Sequence, residues 1–135
     1  MRVRASAWMS ALLVVAAAMV VTADVVPQVT PPHTALPDTN AIPPAMIDAG
    51  RKLFHGHGTC FACHGTSLEG GPIAPALKPH AWKDATGGGM QAIFDVIDHG
   101  VKGTAMVAHP GHISDADIVS IAAYIWSVGH RGMKP

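Results

Sequence analysis

The only two cysteines of this 135-residue chain lie three positions apart and are followed at once by a histidine. The segment reads Cys60-Phe61-Ala62-Cys63-His64. This spacing brings two thiols and an imidazole onto about one helical turn. A thioredoxin-like redox motif would need a strand-helix context, and a structural zinc site would need four ligands. The sequence supplies neither, and a disulfide between the two cysteines is the remaining alternative.

The pattern Cys-x-x-Cys-His is typical of covalent c-type haem attachment. Each thiol can add to one vinyl group of the same porphyrin, and the adjacent imidazole is then placed to bind the iron. The sequence therefore predicts one covalently bound haem c, attached through Cys60 and Cys63, with His64 as an axial iron ligand.

The chain begins Met1-Arg2-Val3-Arg4 and continues as an apolar stretch that ends in small residues at Val21-Thr22-Ala23. This pattern is typical of a signal peptide, so we interpret residues 1–23 as a leader that is removed. Because apolar character extends from residue 5 to residue 23, an uncleaved membrane anchor is the alternative. Either form predicts a periplasmic or other extracytoplasmic domain.

The next segment, residues 24–46, is rich in proline and shows no helical or alternating apolar period. It is predicted to be a linker or an extended arm, acting as a membrane tether or remaining as a passive remnant of the leader. Residues 47–135 form the predicted domain. From Asp24 onward the chain has seven Lys or Arg residues and nine Asp or Glu residues. This part of the chain therefore lacks the basic excess of a nucleic-acid-binding protein.

Three segments of the domain carry helical signals, and none alternates as a strand would. The first is a short amphipathic segment at residues 48–54, and the second runs from about residue 89 to residue 99. The third begins after Ser114, where Asp117 completes a capping box, and its apolar face ends at Gly129. The residues predicted to be buried are Ile47, Leu53, Phe54, Met90, Ile93, Phe94, Ile97, Ile118, Ile121, Ala122, Ile125 and Val128.

Residues 49–128 resemble small class I c-type cytochromes with one haem. In that family, a first helix that carries a glycine and an aromatic residue crosses a last helix that carries another aromatic residue. Gly50 and Phe54 match the first helix, and Tyr124 matches the second, since a glycine lets two helices approach closely beside packed rings. The resemblance implies an all-α fold of three to four short helices around one covalently bound haem, with long Gly- and Pro-rich loops.

The resemblance also implies residues of the haem pocket. The family has a Pro-x-Leu segment after the haem motif, and its proline carbonyl accepts a hydrogen bond from the axial histidine. Such a bond orients the imidazole and makes it a better donor to iron. Pro75 and Leu77 match this segment, and Pro72 is the alternative for the carbonyl.

The loop that ends at Met106 resembles the loop that presents the distal methionine ligand in this family. The resemblance makes Met106 the second axial ligand. In the family a proline commonly follows this methionine, whereas here the next proline comes only after His109. His109 and His112 are therefore alternative iron ligands. Met90 and Met133 are interpreted as core residues.

Two further histidines, His55 and His57, immediately precede the haem motif. They lack the additional ligands of a metal site, so we interpret them as solvated loop histidines. The alternative is that they lie near the haem and make its potential depend on pH.

Ligation by histidine and methionine closes both axial positions and is typical of an electron carrier. The predicted function is the transfer of single electrons between a redox protein donor and a redox protein acceptor, without catalytic residues and as a monomer. One alternative is a cytochrome subunit of a membrane oxidoreductase complex. Another is a haem-based ligand sensor or enzyme in which Met106 is displaced.

Overall fold

The computed structural model describes residues 35–78, residue 82 and residues 84–135, and within them every regular element is helical. The four α-helices are α1 (Pro44–His55), α2 (Phe61–His64), α3 (Met90–His99) and α4 (Asp115–Arg131). Short 3₁₀ turns lie at Thr39–Ala41, Thr86–Gly88 and Pro110–His112. The prediction of an all-α fold with three to four short helices is confirmed.

The predicted leader, residues 1–23, and residues 24–34 of the proline-rich segment lie outside the described residues. Among the residues that the structure does describe, no helix combines the length and the apolar character needed to cross a membrane.

Helix α1 begins earlier than the sequence pattern indicated. It starts at Pro44, because proline at the first helical position has a suitable φ and needs no hydrogen-bond donor there. Asp48, expected at the helix start, therefore lies in the second turn. Ile42 is 5% exposed and Leu36 packs against the same core, so the packed domain extends N-terminal to residue 47.

Two arginines, one on α1 and one on α4, form hydrogen bonds with the two ends of the described domain. Arg131, the last residue of α4, donates a hydrogen bond to the Thr39 carbonyl. Arg51 on α1 donates to the Lys134 carbonyl at 3.0 Å. The segment before α1 and the segment after α4 are thus each bonded to a guanidinium group.

Helix α4 begins with the predicted capping box. Ser114 Oγ accepts from Asp117 N at 3.3 Å, and Asp117 Oδ2 accepts from Ser114 N at 3.0 Å. The backbone hydrogen bond from Ser114 lowers the pKa of Asp117. The predicted end at Gly129 is wrong, because this glycine remains helical and the left-handed Gly132, with φ 62°, follows the helix instead.

Helix α4 packs against both α1 and α3, which explains why it is buried on most of its circumference. The apolar face predicted for α4 is buried as expected, and Val119, Ala123, Tyr124 and Ser127 are buried as well. Of the other residues predicted to be buried, Leu53 and Phe94 are only partly buried.

The crossing of α1 and α4 depends on Gly50. A Cβ atom at this position would collide with the carbonyl oxygen of Ser120 and lie 2.9 Å from Tyr124 Cβ. Beside the crossing, the rings of Phe54 and Tyr124 meet edge to face, with centroids 5.6 Å apart and planes at 65°. Both rings are fully buried, so the contact anchors the two helices to each other.

The variant Gly50→Ala tests this crossing. We expect it to lower the free energy of unfolding of the haem-loaded protein by about 3 kcal/mol, because the obstructing atoms belong to the α4 backbone and cannot rotate away. Denaturant unfolding measures the change. Gly89→Ala is the matched control, since Gly89 has φ −62° and open space around it. Equal stability of the two variants would contradict the role of Gly50.

Candidate functional site

A cavity of about 310 Å³ with mostly apolar walls lies between α2, α3, α4 and the loops that join them. Its lining contains all six residues that the sequence assigned to a haem pocket, namely Cys60, Cys63, His64, Pro75, Leu77 and Met106. The structure therefore brings together residues that are separated by up to 46 positions in the chain.

The two cysteines are carried by the short helix α2, with Cys60 at its N-cap. Both are free thiols. Burial raises the pKa of Cys60 to about 11. A disulfide-exchanging Cys-x-x-Cys motif depends on a thiol whose pKa is lowered, so this environment does not suit a thioredoxin-like activity.

His64 is oriented by the loop that follows it. Its Nδ1 lies 2.9 Å from the Pro75 carbonyl oxygen, which can only accept, so Nδ1 carries the proton and donates. The opposite nitrogen, Nε2, is then left with a lone pair that can bind a metal ion. Pro72 is not part of the cavity lining.

Backbone hydrogen bonds hold the Pro75 loop closed. Leu77 N donates to the Leu68 carbonyl at 2.9 Å, and Gly70 N donates to the His64 carbonyl at 2.8 Å. Leu68 is fully buried beneath this closure. The loop is therefore attached to the end of α2 and to the core, which fixes the carbonyl that His64 contacts.

The loop before Met106 is closed in a similar way. Val101 N donates to the Met106 carbonyl at 2.8 Å, and Thr104 Oγ1 accepts from Met106 N at 3.1 Å. Gly100 and Gly103 have φ of 69° and 78°, so the chain can leave α3 and turn back within a few residues. This tight loop holds the partly buried Met106 at the cavity wall.

The alternative ligands His109 and His112 do not line the cavity. His109 Nδ1 lies 3.0 Å from the Ile113 carbonyl oxygen, and Nε2 lies 2.8 Å from Asp98 Oδ1. The hydrogen bond to Ile113 and the nearby Asp98 raise the pKa of His109. With both nitrogens engaged outside the cavity, His109 is unsuited to replace Met106.

His55 differs from the solvated loop histidine that the sequence suggested. Its Nδ1 lies 2.9 Å from the Arg51 carbonyl oxygen, and Nε2 lies 2.8 Å from the Thr66 carbonyl oxygen. Its ring also stacks on Phe61 of α2, with centroids 6.4 Å apart and planes at 19°. His55 therefore connects α1 to the haem motif, whereas His57 is exposed.

Sequence reasoning missed Trp82, which lines the cavity. Its ring lies so close to Gly88 that a Cβ atom there would collide with the indole nitrogen, and it also approaches Gly129 on α4. The one available signal was a large aromatic residue in an otherwise Gly- and Pro-rich loop. Residues predicted only as core also form cavity walls: Phe54, Ile93, Ile97, Ile121 and Ile125.

The fold and the cavity define a class I c-type cytochrome domain. The profile of the family described as cytochrome C oxidase, cbb3-type, subunit III matches residues 45–125, and the chain belongs to this family. No curated protein sequence matches the chain significantly.

Solved cytochrome structures share the fold. Cytochrome cL of Methylophaga aminisulfidivorans is 27% identical with a TM-score of 0.55, over 62% of this chain and 55% of that one. Cytochrome cL of Hyphomicrobium denitrificans is 21% identical with a TM-score of 0.54, over 62% and 48%. Cytochrome c6 of the diatom Phaeodactylum tricornutum is 27% identical with a TM-score of 0.54, over 64% and 98%. The chain thus spans about half the length of the two cytochrome cL chains.

Family membership means that the chain carries covalently bound haem c. The residues present fit this group, because two free thiols and an oriented imidazole line one apolar cavity. Such a cavity suits a large, flat and mostly apolar porphyrin.

The connection made by His55 is tested by His55→Asn. We expect this variant to lower the free energy of unfolding of the haem-loaded protein by about 1–2 kcal/mol, because a ring hydrogen bond to a backbone carbonyl and an aromatic contact are lost. Thermal unfolding provides the measurement. The control His57→Asn changes an exposed ring and is expected to alter stability by less than about 0.5 kcal/mol. Similar losses in both variants would refute the connecting role.

Proposed function

We propose that this chain is an exported electron carrier in which one haem c, attached through Cys60 and Cys63, has His64 and Met106 as axial ligands. The observation that carries the proposal is the shared cavity. Met106 and His64, whose Nε2 has a free lone pair, both line its mostly apolar wall. Cytochrome c membership supports electron transfer as the general activity. The haem iron supplies the one-electron couple.

The protein side chains tune this couple. Pro75 accepts the hydrogen bond that fixes the ring of His64 and strengthens it as a donor. The thioether of Met106 is a soft and neutral ligand, which favours the ferrous state and raises the reduction potential. The mostly apolar lining, to which Leu77 contributes, limits access of water to the site. Were His64 and Met106 both to hold the iron, they would leave no position for a substrate, as suits an electron carrier.

Electrons are proposed to enter and leave at the opening of the cavity. Ile73 and Val107 line the cavity and are nevertheless 65% and 60% exposed. Exposed apolar side chains beside a redox centre suit brief contact with the surface of another redox protein. We therefore assign Ile73 and Val107 to the surface that meets both the electron donor and the electron acceptor.

The proposed organisation has a leader or anchor at residues 1–23 and a proline-rich linker that leads to the cytochrome domain. Attachment of haem c after export agrees with this leader and with a periplasmic or other extracytoplasmic location. The carrier is proposed to act as a monomer, either free or tethered through its N-terminus.

A second candidate is a subunit of a membrane oxidoreductase complex. The description of the matched family as an oxidase subunit favours it. Purification from detergent-solubilised membranes separates the two possibilities, because a subunit co-purifies with other chains in fixed proportion and a free carrier does not.

The optical spectrum of the oxidised, haem-loaded protein tests the axial ligands. We expect the weak long-wavelength charge-transfer band of a sulfur-to-iron bond, and we expect Met106→Ala to abolish it. Met133→Ala is the control, since Met133 lies outside the cavity lining, and it should keep the band. If the parent protein lacks this band and His109→Gln or His112→Gln alters its haem spectrum, the histidine alternative is correct.

Electron self-exchange between oxidised and reduced protein, measured by NMR line broadening, tests the proposed contact surface. We expect Ile73→Asp and Val107→Asp each to slow self-exchange about tenfold, because a carboxylate must be desolvated and repelled at the contact. Ala49→Asp on α1 adds the same charge at an exposed position outside the cavity lining and should have little effect. Equal slowing in all three variants would indicate a general charge effect.

A further inference from the structure

Three potential metal-binding side chains meet outside the haem cavity. Asp98 lies near the end of α3, His109 follows the Met106 loop, and Asp115 is the first residue of α4. One ligand atom from each residue lies within 4.8 Å of the other two. None of the three residues lines the cavity, so this cluster is separate from the haem site.

The orientation of His109 is fixed from outside the cluster. Its Nδ1 donates to the Ile113 carbonyl oxygen at 3.0 Å, so in the neutral ring Nε2 bears the lone pair. That nitrogen faces Asp98 Oδ1 at 2.8 Å and Asp115 Oδ1 at 4.0 Å. Two carboxylate oxygens and a nitrogen lone pair are all electron-pair donors, so none of them can accept from another. A proton on Nε2 or a metal cation between the three atoms is needed to hold them together.

We propose that Asp98, His109 and Asp115 bind a divalent transition-metal ion, with Zn²⁺ as the ion best suited to the set. Ligands of a tetrahedral zinc site lie about 3.3 Å apart, given bonds of about 2.0–2.2 Å to nitrogen and oxygen. The two distances from His109 Nε2 lie on either side of this value, and all three ligand atoms lie within 4.8 Å of one another, so side-chain rotations can close the site around an ion. One imidazole with two carboxylates is a zinc-compatible donor set, and water completes the coordination.

The surroundings of the cluster support a bound ion. A histidine that binds a metal usually donates its other nitrogen to a backbone carbonyl, as His109 does to Ile113. The second oxygen of Asp98 lies 3.4 Å from His99 Nδ1, which can help to orient that carboxylate. The two carboxylates together match the charge of a divalent cation.

A bound ion would join the end of α3 to the start of α4 across the loop that holds Met106. This consequence concerns the protein framework, and it requires only that His109, which lies outside the cavity lining, does not bind the haem iron. The proposed zinc site can therefore be tested independently of the proposed electron-transfer function.

Isothermal titration of ZnCl₂ into chelator-treated, haem-loaded protein tests the site. We expect one saturable equivalent, with His109→Gln and Asp98→Asn each weakening binding by about tenfold or more, since each removes a ligand. His130→Gln removes a histidine that is exposed on α4 and should leave the affinity unchanged. Zinc-edge X-ray absorption of the parent complex should show one imidazole among nitrogen and oxygen ligands.

Absence of saturable binding to the parent protein would overturn the proposal, as would equal affinity in the parent and His109→Gln proteins. The haem absorption spectrum of each variant reports whether it has folded. If Asp98→Asn does not fold, the comparison of the parent with His109→Gln decides. If neither variant folds, the titration of the parent protein decides, since it needs no variant.

Discussion

The close contact between α1 and α4 at Gly50 determines where the parts of the haem site can lie. Only a residue without a side chain allows the backbone of α1 to meet the Ser120 carbonyl. The contact seats Phe54 against Tyr124, and Phe54 also forms part of the cavity wall. Helix α2 follows α1 after a short turn, so the two thiols and the His64 imidazole are positioned by the same crossing.

The other half of the site is held mainly by main-chain hydrogen bonds. Leu77 bonds to Leu68 below the loop that carries Pro75, and Val101 bonds to Met106 in the loop after α3. Such bonds constrain the path of the chain without specifying most side chains along it. The two loops can therefore keep their shape when exposed side chains along them are replaced.

Local patterns in the sequence were sufficient for the haem motif and for the helix start at Ser114, because both depend on residues a few positions apart. The early start of α1 at Pro44 was missed because two adjacent prolines also suit an extended arm. Trp82 was missed because its role depends on α4, far along the chain. The grouping of Asp98 with His109 was equally invisible, since only the folded loop brings them together.

Both ends of the described domain are bonded to arginines of α1 and α4. Arg131 holds the Thr39 carbonyl, and Arg51 holds the Lys134 carbonyl. A pulling force transmitted through either flanking segment would therefore act first on the best-packed helix pair of the domain. The loops that carry Pro75 and Met106 lie elsewhere in the chain, between these two helices in sequence. If the proline-rich segment is the proposed tether, tension on it would load α1 and α4 before the loops of the cavity.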